Sequence, residues 1–169
     1  FFGALFVSAI TALIASAQWL PVLTALHAVT VGQTDPLFGR DIGFYLFRLP
    51  AVSGALTALV VLTGVSLVTA ALLYGTRGAF VLAPRRAVVD PRAARHLGAL
   101  LALLLLLFGI ELWFVDSSAL LYSTTGPLVG ASYADVHVLL RGIRVSAVTS
   151  VLAAHAHAQG RPPHLAARL

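Results

Sequence analysis

The sequence predicts an all-α fold, a transmembrane helical bundle with a helix lying on the membrane face and structured loops between the spans. Three observations carry that reading. Apolar residues make up 59% of the 169 residues and charged residues 10%, against about 25% charge in an average soluble domain. Mean hydropathy is +0.95. Uncharged or nearly uncharged runs long enough to cross a bilayer, which takes about 20 helical residues, recur three times along the chain.

The first element is residues 1–30. No Asp, Glu, Lys or Arg occurs before Asp35, and the first stretch up to Leu20 alone supplies about 30 Å of helix at 1.5 Å per residue. Trp19 suits an interfacial anchor, and Pro21 marks a kink or the approach of the helix end. The charged start and small-residue cleavage pattern of a signal peptide are lacking. No methionine occurs and the chain opens at Phe1 inside an apolar run, so it reads as a piece of a longer protein.

Residues 31–48 form a motif loop, DPLFGRDIGFYLFRLP from Asp35 to Pro50, dense in aromatics yet carrying four charges. Asp-Pro favours a turn. With Asp41 capping a short helix, Phe38, Ile42, Tyr45 and Leu49 fall on one apolar stripe while Arg40 and Arg48 reach headgroups, which describes a helix on the membrane face. The second span, 49–76, has Pro50 in its first turn, where a helix tolerates proline. Within it Ser53 and Thr57, Gly54 and Ala58, with Gly64 further on, offer small residues for close helix contact.

The segment 77–96 contains Arg77, Arg85, Arg86, Arg92 and Arg95 against Asp90 alone. Cytoplasmic loops are enriched in basic residues, so this segment is assigned to the cytoplasm. The flanking segments 31–48 and 116–144 balance arginines with aspartates and are assigned outside it. The third span, 97–115, is leucine-rich and closes with Trp113, Phe114 and Asp116. The final element, 145–169, has only about ten apolar residues before His155, His157, Gln159 and Gly160 interrupt, short of the roughly 20 a span needs. It reads as an incomplete fourth helix and a tail.

All basic residues are arginine and the net charge is +5. Their distribution reads as a topology signal rather than a nucleic-acid footprint. Without cysteine, disulfides, thiolate metal sites and cysteine nucleophiles are excluded, which leaves His, Asp, Glu, Ser and Tyr to carry any chemistry. Glu111 is the only acid within a span, and an intramembrane carboxylate is by default a candidate ion or proton relay. Its closeness to Asp116 also lets it reach the outer headgroups or pair with a neighbouring helix. Asp135 and His137 would share one side of an extended segment and, with Asp35 or Asp41, offer oxygen and nitrogen ligands to a metal. The commoner role for Asp135 is to satisfy backbone donors in a turn. Ser132 lacks the glycine pattern of a nucleophile elbow, His155 and His157 form only a two-ligand pair, and His27 suits the interface.

The first motif, followed after two spans by LLYSTTGPLVGASYADVH from Leu120 to His137, resembles the bacterial integral-membrane uncharacterised protein family UPF0182. The resemblance covers about residues 1–144. It implies several membrane spans followed by a large extracytoplasmic region, with this chain in the middle of the membrane part; it brings no activity and hence no catalytic residue or cofactor. The chain departs from the family's pattern at Asp116-Ser117-Ser118, where an Asp-Arg-Tyr-like stretch is usual, and after Leu140, where a proline is. It also departs in its tail, which a frameshift, a truncation or local divergence would each explain.

The expected function is therefore a multi-pass module of the bacterial plasma membrane supporting an extracytoplasmic domain. Its expected partners are the bilayer, neighbouring helices and that domain, with no nucleic acid. The alternatives are a transporter or channel subunit using Glu111, and a membrane enzyme with an outer-face metal site around Asp41, Asp135 and His137.

Overall fold

The computed structural model describes residues 8–9, 11–13, 15–16, 18–83, 86–122 and 130–158. The chain divides into two compact units, Phe1–Thr57 and Ala58–Leu169, with the boundary inside one long helix. Helices carry the fold. Three of them, α2 (Phe44–Thr76), α3 (Pro91–Tyr122) and α4 (Asp135–Ala158), are long and apolar enough to cross a membrane. The first expected span, 1–30, lies partly outside the described residues; within it α1 covers Trp19–Leu26.

Helix α2 starts earlier than the sequence reading placed it. Its first five residues, Phe44–Arg48, are π-helical, and the Leu49 N–H bonds to the Phe44 carbonyl five residues back. Pro50 has no N–H and its ring crowds the carbonyl four residues before it. The widened π turn absorbs that clash, so the chain passes Pro50 without breaking. The separate membrane-face helix and the start at residue 49 are thus replaced by one helix of 33 residues, about 50 Å long.

Helix α2 ends at a glycine. Gly78 has φ +71°, and the Ala79 N–H reaches back to the Tyr74 carbonyl at 3.0 Å. That left-handed residue and back-bond satisfy helix-end carbonyls. The arginine-rich segment then forms a two-stranded antiparallel hairpin, β1 (Phe80–Ala83) and β2 (Arg86–Val89), with Phe80 opposite Val89 and Ala83 opposite Arg86. These are the only strands among the described residues. Asp90 caps α3: its carboxylate accepts from Arg92 N at 2.7 Å and Ala93 N at 3.4 Å, with Pro91 at the first helical position. Asp-Pro before an apolar run is a helix-start signal, and it moves the start of α3 from residue 97 to Pro91.

The last helix is also longer than the sequence reading allowed. The apolar stretch 136–140, read as loop, joins 145–154 in α4, because the hydrogen bonds of Ser132 and Asp135 start the helix ahead of both. The incomplete fourth helix is corrected accordingly to Asp135–Ala158, 24 residues. Helices α3 and α4 pack against each other within the second unit, antiparallel because Gly109 meets Val151 while Trp113, further along α3, meets the earlier Arg144 on α4.

Candidate functional site

In the first unit the motif loop is built around two carboxylates. Asp35 Oδ1 accepts from Leu37 N at 2.8 Å and Phe38 N at 2.6 Å; Oδ2 accepts from Arg40 N at 3.0 Å and from the Tyr45 hydroxyl at 2.6 Å. The Asp35 N–H donates to the Arg40 carbonyl, and Thr34 pairs with Asp41 in an isolated bridge. Asp35 and Tyr45 are both buried, 8% and 4% exposed. Burial alone would push the Asp35 carboxyl up, but the Tyr45 hydroxyl and the N–H groups of Phe38, Arg40 and Leu37 outweigh it and hold it below its ordinary value.

Asp41 does the same for the incoming chain. Oδ1 accepts from Val31 N at 3.0 Å and Gly43 N at 2.7 Å, and Oδ2 from Gly32 N at 2.8 Å. The Val31 N–H, with those of Gly32 and Gly43, holds this carboxyl below its ordinary value despite partial desolvation. Gly43 is required here: a β-carbon would run into the Val29 carbonyl and lie 2.7 Å from Asp41 Oδ1. Gly39 has φ +65°, a conformation glycine adopts at no steric cost. The Arg40 guanidinium lies 4.8 Å from the centroid of the Phe44 ring. Both acids are thus occupied with backbone donors.

Asp135 and His137 sit on a helix rather than an extended segment, and this overturns the expectation that they share a side. Two residues apart on a helix, they diverge: Asp135 is buried and His137 exposed. The Ser132 N–H donates to Asp135 Oδ2 at 2.9 Å while the Asp135 N–H reaches Ser132 Oγ at 3.2 Å. This reciprocal pair is a capping box with aspartate in place of the usual glutamate. His137 stacks on Tyr133 with ring centroids 3.9 Å apart, its Nδ1 3.0 Å from the Tyr133 carbonyl. Among the described residues no three His, Asp or Glu side chains gather in a group that could hold a metal ion.

Glu111 lies at the last α-helical position of α3 before a π turn, Leu112–Asp116, in which the Ser117 N–H bonds to the Leu112 carbonyl. A π turn rotates less per residue than an α turn and brings Asp116 towards the side of Glu111. Ser117 and Ser118, where the chain departs from the family's pattern, are buried and bond back to the Leu112 and Phe114 carbonyls at 3.1 and 2.6 Å.

The seam between α3 and α4 uses small residues. A β-carbon on Gly109 would lie 2.9 Å from Val151 Cγ2 and 3.0 Å from the Ala147 carbonyl. Seven residues before Gly109 and seven after Ala147, Ala102 and Ala154 are also buried. Over Gly109 and Ala147 runs an apolar groove of about 250 Å³, walled by Ile110, Trp113 and Phe114 on α3 and by Val148, Val151 and Leu152 on α4. The Arg144 guanidinium lies 5.7 Å from the Trp113 ring centroid. Of the small residues picked out in α2, Gly54 meets the Gln18 side chain, whereas nothing lies within 4 Å of a β-carbon on Gly64. The Tyr45 hydroxyl bond to Asp35, the helix cap at Asp90 and the close approach at Gly109 are not foreseen in the sequence. The Asp-Pro pair could have revealed Asp90, but nothing local marks the other two.

A model of the Uncharacterised protein family (UPF0182) matches residues 1–160. A UPF0182 protein of Cupriavidus necator is 43% identical over 123 residues, which cover 72% of this chain and 13% of that protein. One from Pelobacter propionicus is 39% identical over 145 residues, 85% of this chain and 16% of the relative. Another, from Desulfitobacterium hafniense, is 35% identical over 158 residues, 89% and 16% respectively. The chain spans less than a fifth of the length of these curated relatives. No solved structure matches.

Proposed function

The chain belongs to the Uncharacterised protein family (UPF0182), and from that premise we propose that it is a multi-pass module of the bacterial plasma membrane. In this reading α2, α3 and α4 cross the bilayer, and the loops around Asp35, Asp41 and Asp135 support an extracytoplasmic domain of the full-length protein. The observation that carries it is the surface of the three helices. Leu72 and Leu73 on α2, Leu103 and Phe108 on α3, and Val145 and Leu152 on α4 are all exposed. Side chains of that kind, exposed along helices of 33, 32 and 24 residues, suit lipid rather than water.

The basic residues support an orientation. The segment between α2 and α3, whose sequence carries Arg77, Arg85 and Arg86, lies in the cytoplasm under the positive-inside rule. The motif loops then fall on the outer face. Their acids cap helices and close turns, which favours a scaffold over a reaction centre. The test is to delete the extracytoplasmic domain from a full-length relative and digest membranes with protease. Docking predicts new cleavage at the loop before Asp135; unchanged protection contradicts it.

One observation favours a second reading, a transporter or channel subunit. Glu111 precedes and Asp116 ends a π turn that runs into the buried Ser117 and Ser118, and such turns recur at functional sites. Here transport of an ion should fall strongly in Glu111→Gln; unchanged transport removes Glu111 from the mechanism.

A further inference from the structure

The groove over Gly109 and Ala147 is apolar along its length and bordered by cations at one end. On α4, Arg141 and Arg144 precede Val148 and Leu152 at spacings of three, four and four residues. This puts the arginines and the groove wall on one stripe of the helix. Both arginines are exposed, and the guanidinium of Arg144 lies over Trp113, itself a wall residue. Tryptophan belongs at the headgroup level of a bilayer. Arginine there presents a planar fork of donors that matches phosphate.

We propose that this groove is a binding site for an anionic phospholipid, with one acyl chain along Ile110, Phe114, Val148 and Leu152 and the phosphate on Arg141 and Arg144. Charge complementarity selects this occupant over a second apolar helix, which would leave two arginines facing hydrocarbon at its end. Glu111 and Asp116 lie near the same level on α3. The proposal rests on the membrane reading above.

Trp113 makes the test direct, because the chain has only two tryptophans and Trp19→Phe leaves Trp113 alone. This variant is reconstituted in phosphatidylcholine vesicles containing increasing fractions of brominated phosphatidylglycerol or brominated phosphatidylcholine, and Trp113 fluorescence is followed. The site predicts half-quenching at a mole fraction about thirtyfold lower for the anionic lipid, the order expected of two arginines near an anionic headgroup. Arg141→Ala with Arg144→Ala abolishes that preference while quenching by both lipids persists, and the paired Arg→Lys changes keep most of it. Equal quenching by the two lipids in the parent, or a preference that survives the double alanine change, overturns the lipid site and leaves the membrane reading standing. Absence of quenching by either lipid overturns both.

Discussion

Asp35 is a buried carboxylate whose four hydrogen bonds all come from its own loop and from Tyr45. A hydrogen bond to a charged group contributes about 1.5–3 kcal/mol, so Tyr45→Phe is expected to destabilise the first unit by about that amount. Asp35→Ala, which strips several buried donors at once, should cost more; denaturant titration in micelles checks both. The pH dependence follows from the lowered carboxyls of Asp35 and Asp41. A carboxyl held below its unfolded value stabilises the fold above that value, about pH 4, and its contribution is lost as the pH falls through the folded value. The amides of Val31, Gly32 and Phe38 should therefore exchange slowly at neutral pH and lose protection only in acid. Protection that vanished between pH 6 and 8 would contradict the assignment. Asp41, expected from DIGFYLF as a helix cap, instead gathers the Val31, Gly32 and Gly43 N–H groups ahead of α2, whose N-cap position is Gly43. That Tyr45 closes over Asp35 was not legible, because a contact ten residues apart depends on how the loop folds back, which no local spacing encodes.

The helix ends explain where the sequence reading erred. Pro50 reads as a start because proline suits a first turn, yet the π turn at Phe44–Arg48 lets the helix begin before it. Asp135 and His137 read as a pair only if the segment is extended; the capping box with Ser132 makes it helical and separates them. The Ser-x-x-Asp pattern was present in the sequence, but the glycine-rich run before it argued for a loop. Packing between α3 and α4 gives two contrasting substitutions. Gly109→Leu has no room against Val151 and the Ala147 backbone and should weaken the pair by about 1–3 kcal/mol. Gly64→Ala meets open space and should be neutral or stabilise by up to about 1 kcal/mol, since alanine favours helix over glycine. Because the chain has no cysteine, the register is also open to cross-linking. Ala102→Cys with Ala154→Cys should form a disulfide under mild oxidation, and Ala102→Cys with Ala147→Cys should not.

At the scale of the whole molecule, hydropathy alone revealed the helical class, and arginine placement supplied an orientation. The hairpin Phe80–Val89 was hidden because its residues alternate too briefly to stand out beside the long helices. In the proposed topology α2, α3 and α4 cross the membrane with the arginine hairpin inside and the motif loops outside. Single cysteines test it most directly: Ala87→Cys in β2 and Ala131→Cys before α4, probed in intact cells with a membrane-impermeant maleimide before and after permeabilisation. In this topology Ala131→Cys labels in intact cells and Ala87→Cys only once the membrane is opened. Labelling of both positions from the same side would contradict it.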